Sequence, residues 1–295
     1  ACARRGEGHT RPNPPVGAVI VKAGRIIGEG FHPAAGQPHA EIFALKSCEE
    51  DPKGATLYVT LEPCRHFGKT PPCTRAIIAA GLRRVVIATR DPNPIMAGKG
   101  RQELVDAGIE VVSGVCEDEA RDLIRWYTHW MMHKRPFVMV KAAVTLDGRI
   151  AAAGGDSKWI SSEASRKKVH VWRNEFDAVL VGIGTVIKDD PLLTCRIEGG
   201  RDPLRVIIDP ELQIPAQALC LGERCLVFTT VRPEKRPDLA AGGTKVVHLD
   251  APAQGTLDWK AILAHLGSLG LHSLMVEGGG RIYSSILKTD LFDQV

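Results

Sequence analysis

Two rhythms of apolar and polar residues run along this chain, and the switches between them predict its elements. In the first half, "VGAVIV" and "RIIGEGF" are dense in β-branched and apolar positions and read as a hairpin turned at Ala23-Gly24. "HAEIFALKSCEE" changes to helical spacing, and "ATLYVTL" returns to a strand that runs into Glu62-Pro63. "TRAIIAAGL" predicts a helix stopped by Gly81, "RRVVIAT" a strand, "GRQELVDAG" a helix stopped by Gly108, and "IEVVSGV" another strand. Strands alternating with helices predict a largely parallel, helix-covered sheet. "EDEARDLIRWYTHWMMHK" then reads as one long helix, with acids in its first turn and His133-Lys134 in its last, as the helix dipole favours.

Pro136 ends that helix, and the domain boundary is placed there: a first domain over 1–134 and a second over 135–295. The second half opens on the strand "FVMVKAAVTLDG". A helix near 162–175, strands "DAVLVGI", "LRVIID", "CLVFTT" and "KVVHL", a helix near 258–268 and the strand "SLMVEGG" follow. Segments 197–204 and 231–243, rich in Gly, Pro and charge, read as loops. The fold class is therefore α/β in both halves, with no internal repeat. The first residues, "ACARRGEGHT", hold no signal-peptide core, and the chain is expected to begin inside a longer protein. The final "LFDQV" reads as a strand just beginning, so the C-terminus is expected to continue as well.

Composition narrows the function without naming it. A length of 295 residues with 44% hydrophobic and 24% charged residues suits a globular protein with two cores. The net charge of +4 comes from scattered, mixed charges, which argues against nucleic acid as a partner. No apolar run approaches the roughly 18 residues of a membrane span, so no membrane partner is expected. Eight cysteines without framework spacing read as thiols of a cytoplasmic protein.

Two of those cysteines carry the chemistry. "LEPCRHFGKTPPC" holds Cys64 and Cys73 either side of eight residues, and upstream "PHAE" sets His39 and Glu41 two apart at a helix start. H-x-E, then P-C, then a second cysteine is the pattern of the zinc nucleobase deaminases, apart from the longer gap. One imidazole and two thiolates make three ligands of a tetrahedral zinc, with the fourth position open to water, whose pKa zinc lowers to about 7. Positions i and i+2 point apart on a helix, but at the helix N-terminus His39 can ligate from the helix end while Glu41 reaches the water and moves its proton to a leaving amine. Cys73 opens a helix, where the dipole favours thiolate. Pro63 ends one element and Pro71-Pro72 stiffen the entry to the next, so both sulfurs sit on rigid supports. The eight-residue loop between them is expected to form part of the substrate pocket. The blander readings are a closed zinc site with His66 as fourth ligand, or two unpaired thiols. Asn13 is either a substrate contact or an ordinary turn residue before Pro14.

With these residues in view, almost the whole chain resembles the bifunctional riboflavin-biosynthesis deaminase/reductase family, the RibD type. "NPPVGAVIV", "PHAE", "TLEPCRHFGKTPPC" and "DPNPIMAGKG" carry the resemblance in the first half. "KAAVTLDGRIA", "DSKWISS", "KDDPLLTCR" and "VEGGGRIYSSIL" carry it in the second. The resemblance implies a cytidine-deaminase-like α/β/α domain followed by a dihydrofolate-reductase-like α/β domain. It implies Zn2+ and NADPH as cofactors and a phosphoribosyl-pyrimidine as substrate. Water would replace the 2-amino group of a 2,5-diamino-6-ribosylamino-pyrimidinone 5′-phosphate, and NADPH would then reduce the ribosyl group to a ribityl chain. By the same resemblance NADPH touches Ala143, Trp159, Thr185, Asp189 and the run Gly279, Gly280, Arg281, Ile282, Tyr283, Ser284 and Ser285. Substrate touches Ser157, Arg173, Leu193, Arg196 and Glu277. A homo-oligomer is the expected assembly.

The residues support part of this directly. "SLMVEGGGRIYSSIL" reads as strand, three-glycine turn and helix, so backbone N–H groups can face a phosphate, although tight packing explains such a turn equally well. Arg173 and Arg196 can hold a phosphate through paired contacts, or simply pair with nearby acids. Trp159 can stack on a flat cofactor ring or fill core. Asp189 or Glu277 is the candidate source of the proton that accompanies hydride. The competing class is a nucleoside or tRNA deaminase with an unrelated second domain; a zinc-stabilised module without activity would have no use for Glu41.

Overall fold

The apolar runs of the first half become strands where helices cover them. β1 (Gly17–Lys22), β2 (Arg25–Phe31), α1 (Ala40–Lys46), β3 (Thr56–Leu61), α2 (Cys73–Ala79), β4 (Arg84–Thr89), α3 (Lys99–Asp106), β5 (Glu110–Ser113), α4 (Glu117–Leu123) and α5 (Arg125–His133) follow in order. The computed structural model describes residues 1–68, 70–250 and 257–295. The chain divides into two units, Ala1–His133 and Lys134–Val295.

The first sheet has the order β2-β1-β3-β4-β5. Only β3, β4 and β5 run parallel; β1 is antiparallel to both β2 and β3. The expected largely parallel sheet is thus a mixed one here, because a two-residue turn can join only antiparallel strands. Ala23 (φ 47°) and Gly24 (φ 77°) both take the left-handed conformation that matches the twist of a hairpin. Ile20, Leu57, Ile77, Val85 and Leu104 are fully buried between the sheet and its helices.

α1 lies unusually close to β2. A Cβ on Gly30 would stand 2.4 Å from the Ala44 nitrogen and 2.5 Å from the Ala40 carbonyl oxygen. The helix therefore rests on strand backbone, and that contact sets the height at which its N-terminus presents His39 and Glu41.

The predicted long helix 117–134 is two helices. Ile124 leaves the helical conformation (φ −106°, ψ 14°), and the turn buries both Ile124 and Tyr127 against Leu61. Sequence periodicity reads through such a bend because each half keeps helical spacing.

In the second unit the elements are β6 (Phe137–Val140), α6 (Glu163–Glu175), β7 (Ala178–Gly182), α7 (Ile183–Asp189), β8 (Leu204–Ile208), β9 (Cys225–Thr229), α8 (Pro237–Ala241), β10 (Lys245–His248), α9 (Trp259–Ser268), β11 (Ser273–Gly278) and α10 (Gly280–Ile286). Its sheet runs β10-β9-β8-β7-β11-β6, parallel throughout. β6 is shorter than the expected strand 137–148, since its ladder to β11 ends at Val140 and Thr145, Asp147 and Arg149 close a turn of their own. Segment 231–243, expected as loop, contains the short helix α8, and α7 was not expected at all. Gln294 bridges to Met139, as the strand-like ending of the sequence predicted. Among the described residues no helix is long and apolar enough to cross a membrane.

Strand order reverses around β7: the chain moves outward through β8, β9 and β10, while β11 and β6 lie on the other side. The carboxyl ends of β6, β7 and β11 therefore open a crevice of the kind in which α/β sheets bind ligands.

A Gly30→Ala substitution tests the α1–β2 contact. The added methyl must push α1 off the strand, and overpacking of this kind costs about 1–3 kcal/mol. The urea midpoint should fall with its slope unchanged, and zinc retention should weaken because α1 begins one residue after His39.

Candidate active site

His39 caps the start of α1 in extended conformation, so its ring leaves the helix axis. Cys64 follows β3 past Pro63, and Cys73 begins α2 directly after Pro72. These three elements bring His39 Nδ1 to 3.4 Å from Cys64 Sγ and 3.3 Å from Cys73 Sγ. The three donor atoms all lie within 4.8 Å of one another. The Cys73 N–H donates to Cys64 Sγ at 3.4 Å, and the Cys64 carbonyl accepts from both the Thr74 N–H and its hydroxyl. The loop carrying Cys64 is thus stitched to the helix carrying Cys73.

The electrostatics fit a cation at this point. Donation from the Cys73 thiol, then from His39 and the Cys73 N–H, pulls the Cys64 thiol down to about 4. Hydrogen bonding to Cys64 and burial push the Cys73 thiol up, and the hydrogen bond to Cys64 raises His39. Metal binding to ligands of this kind displaces their protons. Glu41 is 3% exposed, and its Oε2 finds no hydrogen-bond donor among the described residues. Burial first, and the Cys64 charge second, push its carboxyl up to about 7. A buried carboxylate oxygen without a donor, beside three soft ligands, fits a zinc site whose fourth position holds water.

The alternative with His66 as fourth ligand has no support in this geometry. His66 lies outside the ligand cluster, with its Nδ1 2.9 Å from Met96 Sδ.

Asn13, His32, Glu41, Asp91 and Asn93 line one pocket of about 260 Å³ with His39 and Cys64. His32 was missed in the sequence, where nothing marks "FHP" as functional. Its Nδ1 faces the Pro38 carbonyl at 3.0 Å, which can only accept, so Nε2 accepts from the Asn13 amide at 3.0 Å. That leaves the Asn13 oxygen for a ligand. Asp91, also missed, is buried, which pushes its carboxyl up to about 6.

In the second unit the candidates fall into separate groups. Thr185, in the first turn of α7, lies beside Gly279: a Cβ there would stand 3.1 Å from its hydroxyl. Arg173 donates to both oxygens of Glu277, at 2.7 and 2.8 Å, and to the Thr194 carbonyl at 3.1 Å. With side chains 10% and 7% exposed, this pair is the acid partner that the blander reading of Arg173 anticipated. Leu193 is buried with φ 56° next to it. Arg196 is exposed and has no ion pair among the described residues. Trp159 is 71% exposed, with the Arg166 guanidinium 4.3 Å from its ring centre, so it fills no core. Asp189 is exposed, while Ala143 and Ser157 are half-buried. Within 279–285, Ile282 packs into the core, the Tyr283 hydroxyl donates to backbone, and Ser285 accepts from Trp259. Gly280, Arg281 and Ser284 keep their outer faces free of the core.

The first site defines the class: a zinc-type nucleobase deaminase unit joined to a second α/β unit. Residues 1–89 match the cytidine and deoxycytidylate deaminase zinc-binding region, and residues 136–295 match the RibD C-terminal domain. The riboflavin biosynthesis protein RibD of Aquifex aeolicus is 50% identical over 297 residues, covering 99% of this chain and 82% of its own. The solved RibD of Acinetobacter baumannii superposes with a TM-score of 0.89 at 43% identity, covering 99% of this chain and 82% of that one. The Thermotoga maritima diaminohydroxyphosphoribosylaminopyrimidine deaminase/5-amino-6-(5-phosphoribosylamino)uracil reductase gives 0.85 at 45% identity, covering 97% and 80%. The chain belongs to the RibD family, the bifunctional deaminase and reductase enzymes of riboflavin biosynthesis, whose cofactors are Zn2+ and NADPH.

Two substitutions test the geometry. Cys73→Ser should lower bound zinc from one per chain to near none by elemental analysis, whereas His66→Ala should keep it. Arg173→Ala leaves the Glu277 carboxylate buried and unpaired, which costs about 3–5 kcal/mol. Urea denaturation should show that loss, and an Arg173→Met/Glu277→Leu double variant should recover most of it.

Proposed function

We propose that the first unit deaminates, and the second reduces, one phosphoribosyl-pyrimidine, with roles divided at a boundary near residues 134–136. The observation that carries this reading is the cluster of His39, Cys64 and Cys73 at a pocket lined by His39, Cys64 and Glu41, whose Oε2 has no donor among the described residues. His39, Cys64 and Cys73 would hold zinc, whose chemistry would be to make water a nucleophile near neutral pH. Glu41 would take a proton from the attacking water and return it to the departing amine, so that water enters and ammonia leaves. Its burial suits the task, because desolvation raises a carboxyl toward the neutral range in which it can both take and return a proton. The Asn13 oxygen, oriented by His32, accepts a hydrogen bond from the substrate.

In the second unit NADPH supplies the hydride. Thr185 and the Gly279–Ser285 backbone, with Ala143, Trp159 and Asp189, would hold the cofactor. Arg196, exposed and unpaired, meets the substrate phosphate, with Ser157 and Leu193 alongside. Arg173 and Glu277 act as one rigid pair that shapes the substrate wall. Both Glu277 oxygens accept from Arg173, so Asp189 is the better placed of the two acids to supply a proton. Eight free thiols suit the cytoplasm. Exposed Val144 and Leu146 in one loop suit a homo-oligomer, which sedimentation would test.

Glu41→Gln separates the two chemistries. Ammonia release from the diamino substrate should fall by at least the 10²–10⁴ typical of losing a general acid–base. Zinc content, and NADPH oxidation with the already deaminated intermediate, should persist. Loss of both activities in a folded, zinc-loaded protein would mean one shared site.

A further inference from the structure

One buried carboxylate is used by neither chemistry. Glu62, two residues before Cys64, is 4% exposed. Its Oε2 accepts from the N–H of Asp91 (3.3 Å) and Gly98 (2.9 Å), and its Oε1 from Gly100 (2.9 Å) and Arg101 (3.1 Å). The remaining N–H groups of this stretch stay inside it. Asn93 donates to the Asp91 carboxylate, Ile95 to the Asn93 side chain, Met96 and Ala97 to the Asn93 carbonyl, and Lys99 to the Met96 carbonyl. Every backbone donor of residues 91–101 is thus accounted for, and those that leave the loop end on Glu62. At Gly100, in the first turn of α3, this stretch presses on the metal-bearing segment: a Cβ there would stand 2.0 Å from the Pro63 carbonyl oxygen. The same loop supplies Asp91 and Asn93 to the pocket wall.

We infer that Glu62 is a positioning residue for deamination, locking the loop that carries Asp91 and Asn93 at a fixed distance from Cys64. The inference rests on the deaminase reading of the pocket. A carboxylate accepts these donors without competition, and charge-assisted bonds to backbone N–H are about twice as strong as neutral ones. Glutamine keeps the volume but turns an N–H₂ group toward two N–H donors, so half of the clamp becomes repulsive.

In the full chain, Glu62→Gln should retain one zinc and wild-type NADPH oxidation with the deaminated intermediate. The KM for the diamino substrate should rise at least tenfold, while kcat stays within about threefold. Amide exchange at Gly98, Gly100 and Arg101 should accelerate at least tenfold, and exchange in β3 and β4 should not. Should that variant fail to fold, Gly100→Ala displaces the same loop with the carboxylate intact and should show the same rise in KM. An unchanged KM, or zinc loss that accounts for the whole defect, would overturn the inference. The deaminase reading has its own control, since wild-type protein without ammonia release sinks that reading whatever Glu62 does.

Discussion

Three donor atoms from three separate elements have to meet within 4.8 Å, and much of the first unit follows from that constraint. Each donor sits at the end of an element. His39 caps α1, Cys64 lies just past β3, and Cys73 starts α2. Element ends are where backbone groups are unsatisfied and where prolines cost little, so Pro63 and Pro72 fix direction without breaking a ladder. The approach of α1 to β2 at Gly30 then fixes one donor relative to the sheet, and the Thr74 and Cys73 contacts with Cys64 fix the other two relative to each other.

Burial does the electrostatic work around this point. Glu41 has an oxygen that no donor among the described residues satisfies, and burial without a donor is costly. Glu62 is the opposite case, a buried carboxylate whose oxygens are saturated by backbone donors. One acid keeps an oxygen unsatisfied beside the ligand cluster, while the other has both oxygens saturated.

The second unit places its candidates by topology. A parallel sheet whose strand order reverses at β7 opens a crevice at the carboxyl ends of β6, β7 and β11, and Thr185 and Gly279 meet there from two different crossovers. Arg173 and Glu277 lie buried as a charge pair, so Arg173 is not a free arginine.

Residue chemistry at short spacing was legible from the sequence alone. The H-x-E step at His39 and Glu41, the prolines around Cys64 and Cys73, and the turn at Ala23-Gly24 each act within a few residues, so local rules reach them. The β-branched runs revealed the strands because a buried strand must be apolar along its length. Tertiary structure alone decided what depends on distant partners. It bent the helix at Ile124 to bury two side chains on Leu61, ended the β6 ladder to β11 at Val140, and made the first sheet mixed. It also turned Glu62 toward a loop some 30 to 40 residues away and Arg173 toward Glu277, 104 residues away. No periodicity encodes such pairings, because a charge finds its partner through the folded backbone and not through its neighbours in the chain.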